Sequence, residues 1–156
     1  MMYLLDANVL IEAKNRYYSF DVCPGFWDWL KRENAIGTVL SIDAVARELS
    51  DPDSAKWVRD HRGFFVASDD TLIGDIATWI QGQPRFSVAE TARFLSGADA
   101  RLISHAAVNG ATVVTKETSE PQSRRVKIPD VCRAFNVECI DTFKALSRLN
   151  ARFVLA

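Results

Sequence analysis

The residues whose types and settings could do chemistry here are carboxylates. Asp6 ends the short apolar run Tyr3-Leu4-Leu5, and Ala7-Asn8-Val9-Leu10-Ile11 follows at once. A buried parallel strand reads this way when it delivers an acid to its carboxyl end and passes straight into a helix. Glu117 lies two residues beyond the β-branched run Ala111-Thr112-Val113-Val114-Thr115, which predicts a second strand of the same kind. Asp99 falls in the first turn of the helix that feeds that strand, where the positive end of the helix dipole favours a carboxylate. Such a helix runs antiparallel to the strand it feeds, so its start lies at the strands' carboxyl edge. In open α/β sheets that edge is where ligands bind. Glu48, late in the helix after Thr38-Val39-Leu40-Ser41-Ile42, can reach the same crevice or project into solvent, and spacing does not decide between them.

Three or four carboxylates in one crevice repel one another and must take up protons or hold a cation. The cation that suits oxygen ligands is hard and divalent, Mg²⁺ or Mn²⁺, which keeps waters and can activate one against a phosphodiester. Each acid also has a plainer reading. Asp6 can simply cap the helix after it, Asp99 can be an ordinary helix-start acid, and Glu48 and Glu117 can be solvated surface groups.

Strands alternating with helices predict a parallel sheet covered on both faces. The first helix reads from Val9 to Lys14 and is broken at Asn15-Arg16-Tyr17-Tyr18. A second, from about Gly25 to Glu33, lines Phe26, Trp27, Trp29 and Leu30 along one face, an aromatic stripe suited to the core. Asp43 is the expected cap of the helix after the second strand, which Pro52 stops. Asp53 is expected to start the next helix, through Trp57 and Val58, and Phe64-Phe65-Val66-Ala67 forms a short strand. Asp69 or Asp70 should cap a helix to about Ile80. Ser87-Val88-Ala89-Glu90 has the spacing of a reciprocal capping box, and a further helix runs from Ala98 to about Val108. The polar stretch Lys116 to Lys127 reads as an exposed loop. Pro129 opens a helix, Val137-Glu138-Cys139-Ile140 is the last strand, and Asp141 caps the helix after it.

The length of 156 residues with 48% hydrophobic content fits one domain spanning residues 1–156. Nineteen Lys and Arg against 20 Asp and Glu leave a net charge of -1, so nucleic-acid binding would need a local patch or a bound cation. Cys23, Cys132 and Cys139 have neither the parity nor the spacing of a disulfide framework or a zinc ribbon, and buried reduced thiols are expected. No apolar run approaches the roughly 18 residues of a membrane span, and no secretory leader is recognisable, which points to the cytoplasm. His61 and His105 fit no zinc-protease site or triad, and phosphate-binding glycine loops are missing.

Four segments, in order, resemble the PIN-domain family, the nuclease fold of VapC-type toxins: Tyr3 to Ile11, Ser41-Ile42-Asp43-Ala44-Val45-Ala46-Arg47-Glu48-Leu49, Gly97-Ala98-Asp99-Ala100-Arg101-Leu102-Ile103, and Val113-Val114-Thr115-Lys116-Glu117. Phe26-Trp27-Asp28-Trp29-Leu30 and Val126-Lys127-Ile128-Pro129-Asp130-Val131-Cys132 extend the resemblance to a poorly characterised PIN-like subgroup. The resemblance implies a three-layer α/β/α sandwich around a mainly parallel sheet, and metal-dependent cleavage of RNA. It implies Asp6, Glu48, Asp99 and Glu117 as catalytic residues and as ligands of Mg²⁺ or Mn²⁺, and so places Glu48. The family more often has Asp at the fourth position. Glu117 is one methylene longer, leaving direct and water-mediated ligation both open. Asn8 and Thr115 match polar positions that orient ligands or bound water. Lys14, Arg16, Lys116, Arg124, Arg125 and Lys127, from the first helix and the loop after Thr115, are the candidates to hold the RNA backbone. A toxin of this type implies a small antitoxin partner and a homodimer.

Two other classes compete. A phosphatase of the haloacid-dehalogenase type would use Asp6 as nucleophile, but needs a second Asp where this chain has Asn8. A PIN-like module that binds RNA or protein without cutting keeps the fold and loses the metal.

Overall fold

The computed structural model describes residues 1–155. Its sheet has five strands, β1 (Tyr3–Leu5), β2 (Val39–Ile42), β3 (Phe65–Val66), β4 (Thr112–Val114) and β5 (Cys139–Ile140), in the order β3-β2-β1-β4-β5. Every pairing is parallel, with Leu4 opposite Leu40 and Val113 in the central register. β1, β2 and β4 are buried along their whole length. Burial on both faces is why these segments are runs of apolar residues rather than alternating ones.

The chain lays β1, β2 and β3 outward in one direction, then returns to place β4 on the other side of β1 and β5 beyond it. The order therefore reverses between β1 and β4. The residues just past those strands, Asp6 and Thr115, flank the crevice that opens at such a reversal.

Nine α-helices connect the strands among the described residues: α1 (Ala7–Glu12), α2 (Pro24–Ala35), α3 (Asp43–Glu48), α4 (Pro52–Asp60), α5 (Ile73–Gln81), α6 (Val88–Ser96), α7 (Ala98–Asn109), α8 (Ile128–Ala134) and α9 (Thr142–Arg148). α5, α6, α7 and α8 pack on one another, and α7 lies on β4. Around α2, which packs on β2, the aromatic stripe is core as expected. Tyr18 stacks on Phe26 at 4.5 Å, and Trp27 meets Trp57 of α4 edge-on at 5.2 Å. Burying a ring such as Phe26 stabilises the fold by roughly 2–3 kcal/mol. The result is the expected α/β/α sandwich, with a sheet that is wholly rather than mainly parallel. No helix among the described residues is long and apolar enough to cross a membrane.

Several local expectations are corrected. The first helix does not break at Asn15. It widens into one π-helical turn, Ala13–Tyr17, closed by the Tyr18 amide donating to the Ala13 carbonyl at 2.7 Å. Asp43 is the first residue of α3 rather than its cap, its carboxylate taking the Ala44 amide at 2.8 Å. Asp51, not Asp53, caps α4, because Pro52 fills the first helical position and the Ser54 amide points back to Asp51. Neither Asp69 nor Asp70 caps α5. Asp69 turns back on Thr71, Asp70 pairs with Arg101, and α5 starts at Ile73. Only half of the Ser87 box forms. Ser87 accepts from the Glu90 amide at 3.0 Å, but the Glu90 carboxylate binds Arg93 and the Val126 amide instead. The Asp141 cap is as expected, with the Lys144 amide at 2.8 Å. Of the three thiols only Cys132 is fully buried, and none is in a disulfide.

Candidate active site

Asp6 occupies the N-cap position of α1 but does not cap it; its side chain makes no capping hydrogen bond. It is 3% exposed, and its Oδ2 accepts from the Thr115 hydroxyl at 2.8 Å, across the β1/β4 reversal. The same hydroxyl oxygen accepts from Asn8 Nδ2 at 3.3 Å and from the Glu117 amide at 3.2 Å. Asn8 Oδ1 in turn accepts from the Lys116 amide at 3.2 Å. One short polar chain thus ties the end of β1 to the segment carrying Glu117. Thr115 is the hub.

Asp99 stands in the first turn of α7, half-buried, as the order of helix and strand requires. Glu48 closes α3 and turns toward α7 rather than to bulk solvent alone. Its Oε1 accepts from the Ala98 amide at 3.2 Å, so it meets the first amide of α7, one residue before Asp99. Glu117 is half-buried in the loop after β4.

Three of the acids are shifted upward. Burial, then repulsion from Glu117 and Glu48, pushes Asp6 up to about 6, although the Thr115 hydroxyl works against this. Asp99 goes further, to about 8, from burial and then from the charges of Asp6, Glu117 and Glu48, with Arg93 as the compensating cation. Glu117 is raised chiefly by burial, which the Ile128 amide and the charges of Lys127, Arg93 and Arg125 offset in part. The shifts of Asp6 and Asp99 both run in the direction that favours a proton or a cation among the acids. Among the described residues, no three Asp, Glu, His or Cys side chains already converge at metal-binding spacing. The acids share a crevice and a field without closing on one point.

The basic residues divide. Lys127 and Arg125 act on Glu117 directly, and Lys127 also lies 3.5 Å from Glu120. Lys116 reaches back to Glu12 at 2.9 Å, and Lys14 is held by Asp51 at 2.7 Å. Arg16 and Arg124 are exposed. Arg93 is the residue that sequence reasoning missed. Its spacing of three from Glu90 signals the ion pair that forms, at 2.5 Å, but not that α6 packs on α7 and carries this charge to Asp99. Glu90, held at about 2 by Arg93, also accepts from the Val126 amide at 2.8 Å. Asp130, 7% exposed in the first turn of α8, takes the Ser119 hydroxyl and the Glu120 amide. Both anchor the loop that carries Glu117. His105 is structural, its Nδ1 accepting from the Asp69 amide at 2.9 Å.

An all-parallel five-stranded sheet that reverses its order between β1 and β4 and is covered by helices is a PIN-like α/β/α sandwich. More particularly, the family described as Domain of unknown function (DUF4411) matches residues 3–153, and the chain belongs to it. Among solved structures it is similar to VapBC2 from Rickettsia felis bound to a DNA fragment from their promoter. That match has a TM-score of 0.48 and 16% identity, and covers 90% of this chain and 98% of the other. No curated protein sequence matches.

Proposed function

We propose that this protein is a metal-dependent ribonuclease, the toxin of a toxin–antitoxin pair, that hydrolyses RNA phosphodiester bonds at the crevice formed by Asp6, Glu48, Asp99 and Glu117. The observation that carries the proposal is the gathering of these four acids, from four separate segments, at the β1/β4 reversal with Arg93 as the compensating cation. The donor set is all carboxylate oxygen, which fits Mg²⁺ or Mn²⁺ and no softer metal. What such an ion supplies is a water of lowered pKa and neutralisation of the charge that develops at phosphorus.

In this reading the chain's own residues divide the remaining work. Thr115, fixed by Asn8, holds one oxygen of Asp6 and keeps that carboxylate in a single orientation. Asp99 and Glu117 would hold the ion with Asp6, and Glu48 would complete the set from the end of α3. Arg93, Arg125, Lys127 and Lys116 supply the local positive charge that a chain of net charge -1 otherwise lacks, with Arg124, Arg16 and Lys14 toward the rim. A cytoplasmic location, an antitoxin that blocks the crevice and a homodimer belong to the same proposal.

The competing reading is a PIN-like module that binds RNA or protein without cutting. It is favoured by the lack of three preassembled ligands among the described residues. Titration calorimetry with Mn²⁺ separates the two, comparing the parent with Asp6→Asn, Asp99→Asn and the distant control Glu138→Gln. Loss of binding in the first two alone supports the nuclease. No Mn²⁺ binding by the parent at millimolar concentration gives the lead to the binding module.

A further inference from the structure

Two aromatic rings beside the acidic crevice are not used by the core. Tyr17 is 53% exposed and Phe143 is 55% exposed, and they meet edge-to-face with centroids 5.6 Å apart. Tyr17 comes from the π-helical turn that ends the first helix, and Phe143 from the start of α9, 126 positions later in sequence (143 against 17). Apolar burial does not explain why two rings from distant segments pair in solvent. Single π-helical turns inside α-helices recur at functional sites. Tyr17 is the last residue of that turn, and its ring is the one that meets Phe143.

The pair lines a cavity of about 310 Å³ that Asn8, Glu12, Lys116 and Asp141 also line, within the size range of small-ligand sites. Asn8 connects the cavity to the chemistry, because it donates to the Thr115 hydroxyl that itself donates to Asp6. Lys116, also in the lining, immediately precedes Glu117 and pairs with Glu12 at 2.9 Å.

We propose that this cavity is a nucleobase subsite, in which a base next to the phosphate held at the acids stacks against Tyr17 and Phe143. The ligand class is a single-stranded RNA nucleotide. Unstacked bases are what aromatic platforms recognise, and the contact tolerates any base because every base has a π-face. Lys116 provides the cation for the phosphate on the side facing the crevice. The inference rests on the ribonuclease reading for the identity of the polymer, but the pocket can be tested without cleavage.

The first measurement is NMR shift mapping with adenosine and uridine 5′-monophosphates at millimolar concentration, without metal, on the parent and on Asp6→Asn. Shifts at the Tyr17 and Phe143 rings and the Lys116 amide in both proteins are expected, and shifts confined to other surfaces overturn the subsite. The second is cleavage of a single-stranded RNA by the parent, Tyr17→Ala and Phe143→Ala, repeated with one abasic position walked along the substrate. We expect KM to rise about tenfold in each variant, as loss of a stacked base does, with kcat changed much less. One abasic position should raise the parent's KM similarly and leave the variants where they are. Equal KM values for parent and variants on intact RNA overturn the subsite while leaving the nuclease standing. Mononucleotide shifts at the rings without any cleavage keep the subsite and remove the nuclease.

Discussion

The two ends of the sheet treat their acids in opposite ways. At the amino end, Glu138 precedes β5 and is satisfied several times over. Arg148 grips both oxygens at 2.6 and 2.8 Å, Thr112 donates at 3.0 Å, and the carboxyl is held at about 2. At the carboxyl end, Asp6 is pushed up to about 6 and Asp99 to about 8, with the charge of Arg93 set against the shift of Asp99. The same fold that neutralises a surface acid with an arginine leaves buried acids in mutual repulsion a few strands away. Buried like charges cost stability unless something outside the chain joins them. Under the proposed function, the difference marks the carboxyl end as the place where the molecule gives up stability to hold a cation.

The largest effect that would sharpen the contrast is catalytic. Asp6→Asn and Asp99→Asn should each lower cleavage of a fluorogenic single-stranded RNA in Mn²⁺ by roughly 10²–10³-fold, the scale of removing one group that stabilises developing charge, while Glu138→Gln cleaves as the parent does. If Glu138→Gln were equally inactive, the two ends would not differ in function.

Next in size is the stability of the apo protein against pH. Because the folded value of Asp99, about 8, lies above the unfolded carboxylate value near 4, its contribution is intact below about pH 4. It is lost progressively as pH rises toward 8, the unfolded chain giving up its proton first. Asp99→Asn should therefore stabilise the metal-free protein, by on the order of 2 kcal/mol at pH 8–9, and the gain should vanish near pH 4. Urea midpoints across that range check it. A variant less stable than the parent at pH 8 would mean that the acids are not in repulsion.

Thr115→Val removes the hydroxyl that serves Asp6, Asn8 and Glu117 at once. It should cost about 1–2 kcal/mol by the same urea assay at pH 7 and push the Asp6 carboxyl higher still. Carboxyl carbon shifts followed by NMR titration report the second effect. The smallest effect belongs to the other end: Glu138→Gln should cost less than about 1 kcal/mol and fade in high salt, since the pair is about half exposed. Because the Glu138 value is depressed in the folded state, this contribution is present above pH 4 and is lost as pH falls toward 2. A cost that persisted below pH 2 would show that Glu138 acts by packing rather than by charge.

Much of the crevice was legible in the chain. Asp6 and Glu117 sit where they do because a residue just past a buried parallel strand has nowhere else to go, and Asp99 because a helix feeding such a strand must begin at its carboxyl end. Glu48 was not, since a position late in a helix can face several ways, and it was placed by resemblance before the Ala98 amide showed where it turns. Arg93 escaped notice because its importance lies in how α6 stacks on α7. Cap positions slipped by one or two residues, as with Asp51 in place of Asp53, where several acids crowd one helix start and a proline fixes the register.

What the sequence by itself determined is the alternation of strand and helix, the apolar runs buried on both faces of the sheet, and the acids at the strand and helix ends, all consequences of local periodicity. What only the tertiary structure decided is which of those ends meet. The reversal of strand order between β1 and β4, the turn of Glu48 onto α7 and the meeting of Tyr17 with Phe143 all join residues far apart in the chain. No local preference encodes such pairings; they follow from the one packing that buries the whole core at once.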